Sequence, residues 1–276
     1  MLNMLRMDIR RMVKGKSLYV CLGILLFTTV LAFGLMYVVL NPDARELAIN
    51  MGLKVEVGGE SLDSAAAGAM EELAGTTGVL DMFRQTNIKG GLFAVVAGIL
   101  AAVFVCSDFE SGFAKNIFSV HEKKWKYICS KLLMMAIVNL FYLLVTFLVT
   151  LLLNAATGGF FAWNAPGSCL FYLAGIWVLM NGMSALMIFI SATFRSKAAG
   201  CTAAVIIGAG FISMIAGAVF SLTGTQWLQD YFLFSSIENY PLAYGGVGDL
   251  LPAAVGAAHI ILWTVLGSII LSKKDI

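Results

Sequence analysis

Few residues in this chain have the type and spacing to do chemistry. His259 is the one ionisable residue well inside an apolar run. Residues of that kind mark ion or proton paths through membranes. A lone histidine also serves as a neutral hydrogen-bonding group, and both readings are open. Five cysteines occur, Cys21, Cys106, Cys129, Cys169 and Cys201, all in or beside apolar runs. They are odd in number and form no C-x-x-C pair, so they read as small buried hydrophobes rather than a disulfide framework or zinc site. A phosphate loop ending in Gly15-Lys16-Ser17 would need a glycine at position 10 and a preceding strand. Position 10 is Arg10, and no strand precedes it. Nothing else suggests a nucleotide fold. The expectation is a chain that is not an enzyme in its own right, with no catalytic, metal-binding or cofactor-binding residue.

Other patterns concern contacts rather than reactions. In residues 108–127, Phe109, Phe113, Ile117 and Val120 recur at spacings of four, four and three, one face of a helix. Asp108, Glu110 and Lys115 point elsewhere. A short helix, part apolar and part charged, suits a docking peg for a partner protein or an interfacial cap on the run before it. Gly200, Ala204 and Gly208 stand at i, i+4 and i+8. Such a row lets two helix backbones approach closely, within one chain or between subunits. Asn139, Asn181 and Ser184 are polar positions inside apolar runs. They suit interhelical hydrogen bonds, or the polar lining of a cavity together with His259.

The elements that must position these residues are membrane helices. The chain has 276 residues, 60% of them hydrophobic and only 12% charged, where soluble domains carry about 25% charged residues. Six apolar runs are long enough to cross a bilayer: Leu18–Leu40, Gly91–Ser107, Ile128–Ala155, Cys169–Phe194, Ala198–Leu222 and Leu250–Leu271. None of the four prolines interrupts them. The first run is longer than a signal-peptide core and has no A-x-A site after it, so it reads as an uncleaved anchor. The fold class expected is an all-α membrane protein with six transmembrane helices.

Charge sets the orientation. Residues 1–17, 108–127, 195–197 and 272–276, with Lys131, hold 14 basic and 5 acidic residues. Residues 41–90, 156–168 and 223–249 hold 4 basic and 11 acidic. The basic side is cytoplasmic, and an even number of spans puts both termini there. Residues 1–16 form an amphipathic helix, with Leu2, Leu5, Ile9, Met12 and Val13 on one stripe and Arg6, Arg10 and Lys14 on another. It suits the cytoplasmic interface and anionic lipids, or serves only as a basic flank. Residues 17–276 form a single membrane domain. Within it, 41–90 is an external segment with a helix expected over Gly59–Ala74, capped by Ser61 or Asp63. The aromatic segment 223–249 is external, dipping into the outer leaflet or forming an aromatic belt. A net charge of +2 gives no reason to expect a nucleic-acid partner.

This layout resembles the permease subunits of type-2 ATP-binding-cassette (ABC) transporters. Those permeases show an acidic residue, a Gly two positions on, then Lys or Asn, a basic segment and a Lys opening the third span. Here Glu110, Gly112, Lys115, Asn116, Lys123, Lys124 and Lys131 fill those places. The resemblance implies a coupling helix starting near Phe109 and including Phe113 and Ile117. It would dock into a separate cytoplasmic ATPase, which holds the ATP and Mg. It also implies re-entrant helices between the fifth and sixth spans and a second permease copy, identical or not. Its branch looks like the bacterial peptide, lantibiotic-immunity and drug exporters of the cell membrane, with hydrophobic or amphipathic cargo. Two other functions fit the same layout: an ATPase-independent channel or secondary transporter, and a membrane sensor or scaffold using residues 41–90. With His259 the one ionisable residue well inside the apolar runs and no broken-helix site among them, the sequence speaks against the first of these.

Overall fold

The computed structural model describes residues 2–51, 56–57, 60–61, 77–120 and 124–273. Helix α1 (Leu2–Lys14) runs into α2 (Lys16–Leu40) with only Gly15 between them. A short α3 (Pro42–Asn50) follows, its first turn capped by Asn41, whose side chain accepts from the amides of Asp43 and Ala44. Two two-residue strands, Glu56–Val57 and Glu60–Ser61, pair antiparallel. The helix expected over Gly59–Ala74 therefore meets a strand at Glu60–Ser61; the rest of it, Asp63 included, lies outside the described residues, as does Lys123.

The chain then turns inward. Helix α4 (Val79–Phe83) continues into a π-helical turn, Arg84–Ile88. Leu80, Met82, Phe83, Asn87 and Ile88 are all fully buried. Thr29, midway along α2, donates to Asn87 Oδ1 at 2.6 Å. This end of segment 41–90 is thus packed inside the bundle. Gly78 and Ala162 form a backbone bridge and Asn164 caps the amide of Leu80, so the loop after the third long helix closes over it.

The remaining elements are α5 (Leu92–Glu110), α6 (Phe113–Val120), α7 (Trp125–Ala156), α8 (Pro166–Phe194), α9 (Lys197–Gly208), α10 (Phe211–Thr223), α11 (Leu233–Glu238) and α12 (Leu251–Lys273). Short 3-10 segments at Gln226–Tyr231 and Val247–Leu250 join the last three. Five helices, α2, α5, α7, α8 and α12, are long and apolar enough to cross a membrane, and α9 with α10 makes a sixth if taken as one span. That pair corrects one expectation: the run Ala198–Leu222 is not a continuous helix but bends by 49°. Gly210 sits at the break with φ of +80°, where a side chain is strained, and a Cβ there would lie 2.2 Å from the ring of Phe234.

The bundle centre is α5 and α8, the most buried of the long helices. α9 runs back along α5. A Cβ on Gly200 would meet Ala102 at 2.8 Å, and one on Gly98 would meet the methyl of Ala204 at 3.0 Å. One on Gly208 would meet the backbone of Val95 at 2.9 Å. The small-residue row is therefore an intrachain contact. α12 lies along α8, with Gly256 against Leu179 and Gly267 close to Phe189 and Ile128.

Candidate functional site

Polar chemistry gathers at one end of the bundle, where α1, the end of α5, α6 and the start of α7 meet. α1 turns Met4, Asp8 and Met12 inward, at i, i+4 and i+8. Asp8 comes with them because it occupies the same helical face, and it is buried to 1% exposure. Its two carboxylate oxygens are both used. Lys131 Nζ lies 2.6 Å from Oδ1, and the Ser130 hydroxyl donates to Oδ2 at 2.8 Å.

Lys131 and Asp108 are both fully buried. Lys131 Nζ also reaches Asp108 Oδ2 at 2.6 Å, where the Tyr127 hydroxyl donates at 3.0 Å. Arg11 closes the other side through Asp108 Oδ1. Two carboxylates and two cations make a neutral quartet in which every carboxylate oxygen has a partner. Lys131 Nζ stands 4.0 Å from the ring centre of Phe104, and the Arg11 guanidinium 4.2 Å from that of Phe113. Removing a buried charge from water is costly unless partners replace the lost hydration, as they do here. The arrangement locks α1 to α5 and α7 in one register.

α6 is braced by the same group. Arg11 stacks on Phe113, its first residue, and Phe118 packs edge-on to Tyr127 at 5.2 Å. Ala114 and Ile117 are buried. The helix does not begin near Phe109. Phe109 and Glu110 belong to the last turn of α5, and the chain turns at Gly112, where φ is +70°. Phe109 packs on Tyr127 and under the Arg195 guanidinium. Phe109, Phe113 and Ile117 of the apolar stripe are turned onto the chain itself. Glu110, Ser111, Lys115 and Asn116 are exposed. Glu110 pairs with Lys197 at 2.5 Å, tying the start of α9 to this end of the bundle.

The other site residues lie elsewhere. Asn139, Asn181 and Ser184 come together in the core: Asn139 Nδ2 donates to Asn181 Oδ1 at 3.0 Å and contacts Ser184 Oγ at 2.9 Å. They join α7 to α8 as an interhelical contact. His259 is not part of that group. The Trp263 indole N–H, which can only donate, bonds His259 Nδ1 at 3.0 Å. Nδ1 is therefore the acceptor in that bond, and Nε2 faces the Tyr231 carbonyl at 3.4 Å. His259 and Trp263 border an apolar cavity of about 350 Å³ between α8, α9, α10 and α11. Among the described residues, no cluster of three or more His, Cys, Asp or Glu could hold a metal.

Sequence reasoning missed the quartet. One signal was available: Asp8 is the lone acid among the five basic residues of 1–17 and shares a helical face with Met4 and Met12. Its partners Ser130 and Lys131, over 100 residues away, carried nothing to pair them with it: Lys131 stood out only as the basic opening of the third run within the family pattern.

A bundle of five or six long apolar helices with a braced polar end defines a multi-pass membrane protein. The family model for ABC-2 family transporter proteins matches residues 2–275, and the chain belongs to that family, as a membrane permease of an ABC transporter. Membership implies an ABC ATPase partner in general. No curated protein and no solved structure matches the chain.

Proposed function

We propose that this permease docks its ATPase through the exposed side of α6 and the turn before it, with Glu110, Lys115 and Asn116 as contacts and Gly112 allowing the turn. Phe113 and Ile117 hold α6 in place from within. In this reading the chain spans the membrane six times with both termini cytoplasmic, and it hydrolyses nothing itself. ATP and Mg stay on the partner. A second permease copy completes the transporter, and hydrophobic or amphipathic cargo such as an antimicrobial peptide, a lantibiotic or a drug-like molecule crosses a bacterial cell membrane outward. The observation that carries the docking site is the polarity of α6: its apolar side is buried on its own chain while its charged side faces out next to a fixed ion network. The basic flank of α1 and the basic loops support the cytoplasmic assignment.

The reading of an ATPase-independent transporter loses its sequence-based counter-argument, because the structure holds both a buried ion cluster and a bent helix pair. Family membership now favours the ATP-driven reading in its place. The test is co-purification with the products of its neighbouring genes to find a stoichiometric ATPase, then K115E and N116A. Loss of ATPase retention or of transport-stimulated hydrolysis, with thermal stability unchanged, is the expected result. Full coupling in both variants would sink the docking site.

A further inference from the structure

Asp8 is the only acidic residue in 1–17, and it is buried. The outward surface of α1 therefore carries positive charge with no exposed acid on the same helix. Arg6, Arg10 and Lys14, at i, i+4 and i+8, are all exposed and form one stripe, and Lys16 extends it past Gly15. A shallow groove of about 400 Å³ runs along it, lined by Met7, Arg10, Arg11, Lys14 and Gly15. Ile9 and Val13 make a parallel apolar stripe on the outside, 36% and 49% exposed. The groove is held at the end of the apolar helix α2, because a single residue separates α1 from it. On its other side α1 is bonded to Ser130 and Lys131, near the start of α7.

A basic stripe beside an apolar stripe, at the end of a spanning helix, matches the boundary between headgroups and acyl chains. A site for a soluble anion has no use for exposed Ile9 and Val13. We infer that α1 is a binding site for anionic phospholipid: Arg6, Arg10 and Lys14 hold phosphodiester headgroups while Ile9 and Val13 enter the acyl boundary. The inner face of the same helix carries Asp8 and Arg11, and Arg11 touches Phe113 of α6. Bound lipid thus steadies the helix that braces α6. The lipid contact rests only on the chain's crossing a bilayer; its consequence at α6 rests on the docking reading above.

The experiment measures lipid alone, so its failure leaves the docking reading standing. The purified full chain is equilibrated with an equimolar mixture of phosphatidylglycerol and phosphatidylcholine in mixed micelles, and the lipid retained is measured by native mass spectrometry. The wild type should enrich phosphatidylglycerol, and high salt should weaken the enrichment. R6Q/R10Q/K14Q should lower it by about fivefold or more, with R10Q alone intermediate and thermal stability unchanged. Excess inorganic phosphate should not displace the lipid. Equal retention of the two lipids by the wild type, or undiminished enrichment in R10Q and in the triple variant, overturns the proposal. Displacement by phosphate overturns it in favour of a free-anion site.

Discussion

Lys131 stands between two buried carboxylates, so its removal leaves Asp8 and Asp108 facing each other without a cation between them. Losing one member of a buried ion pair costs roughly 3–5 kcal/mol, because the remaining charge is uncompensated. K131M should therefore lower the thermal unfolding midpoint in detergent sharply. Adding D8N should restore part of the loss, since it removes the carboxylate left without a cation, whereas Asp108 keeps Arg11; an additive loss in the double variant would show that the three groups are not one network. In the sequence, Lys131 reads as the basic opening of an apolar run and as part of the family pattern, with nothing to show that it is buried between carboxylates. Its role depends on which distant helix faces it, and local pattern does not encode that. His259 is the reverse case, conspicuous in sequence and modest in structure. Its ring accepts from Trp263, so H259F should cost about one hydrogen bond, roughly 1 kcal/mol, and shift the Trp263 emission while leaving transport nearly intact. Abolished transport with an unshifted midpoint would instead make His259 part of a cargo or proton path.

At the scale of elements, the apolar runs and the small-residue row were legible because period and length alone define them. The row Gly200, Ala204, Gly208 does bring two backbones together, against Ala102, Gly98 and Val95. The bend after it was not legible: in sequence Gly210 looks like one more small residue, and only its φ of +80° and the ring of Phe234 show the break. The boundary between α5 and α6 was misplaced for a similar reason, since apolar periodicity runs straight through Gly112. Two glycines separate backbone strain from close packing. Gly224 has φ of +71° with nothing within 4 Å of a Cβ, so G224A should cost about 1–2 kcal/mol from strain alone. Gly91 has φ of +73°, and a Cβ would lie 1.9 Å from the carbonyl oxygen of Gly208. G91A must also push α9 off α5, and should cost about 3 kcal/mol or more. Unfolding midpoints of equal size in the two variants would contradict the tight α5–α9 contact. The exposed Glu110–Lys197 pair is a third case: screened by water, it contributes about 1 kcal/mol or less. E110Q should leave stability alone, which makes any loss of ATPase coupling in that variant a docking effect.

For the whole molecule, the packing of the helices bears on how many times the chain crosses. α9 begins where Lys197 meets Glu110, at the α6 end, and finishes where Gly208 meets Gly91, at the opposite end. α10 carries on from there, with Phe211, Met214, Ile215 and Leu222 exposed as expected of a helix bathed in lipid or covered by a second copy. α12 then returns along α8 until Gly267 approaches Ile128, near the start of α7. α1 is bonded to Ser130 and Lys131 at that same end. Six crossings follow if α9 and α10 together traverse the bilayer, and both ends of the chain then share a side. A chain without its five cysteines, given single cysteines at Asn3, Lys115, Ala165, Thr223 or Lys273, tests this with a membrane-impermeant maleimide. Labels at Asn3, Lys115 and Lys273 should require access to the cytoplasm, and those at Ala165 and Thr223 access from outside. If α9 and α10 instead turn back within the bilayer, Thr223 joins Lys115 and Lys273 moves to the other side. That outcome would leave five crossings and remove the shared side for the two termini, although the charge asymmetry of the loops nearest α5 and α7 would still place α6 in the cytoplasm.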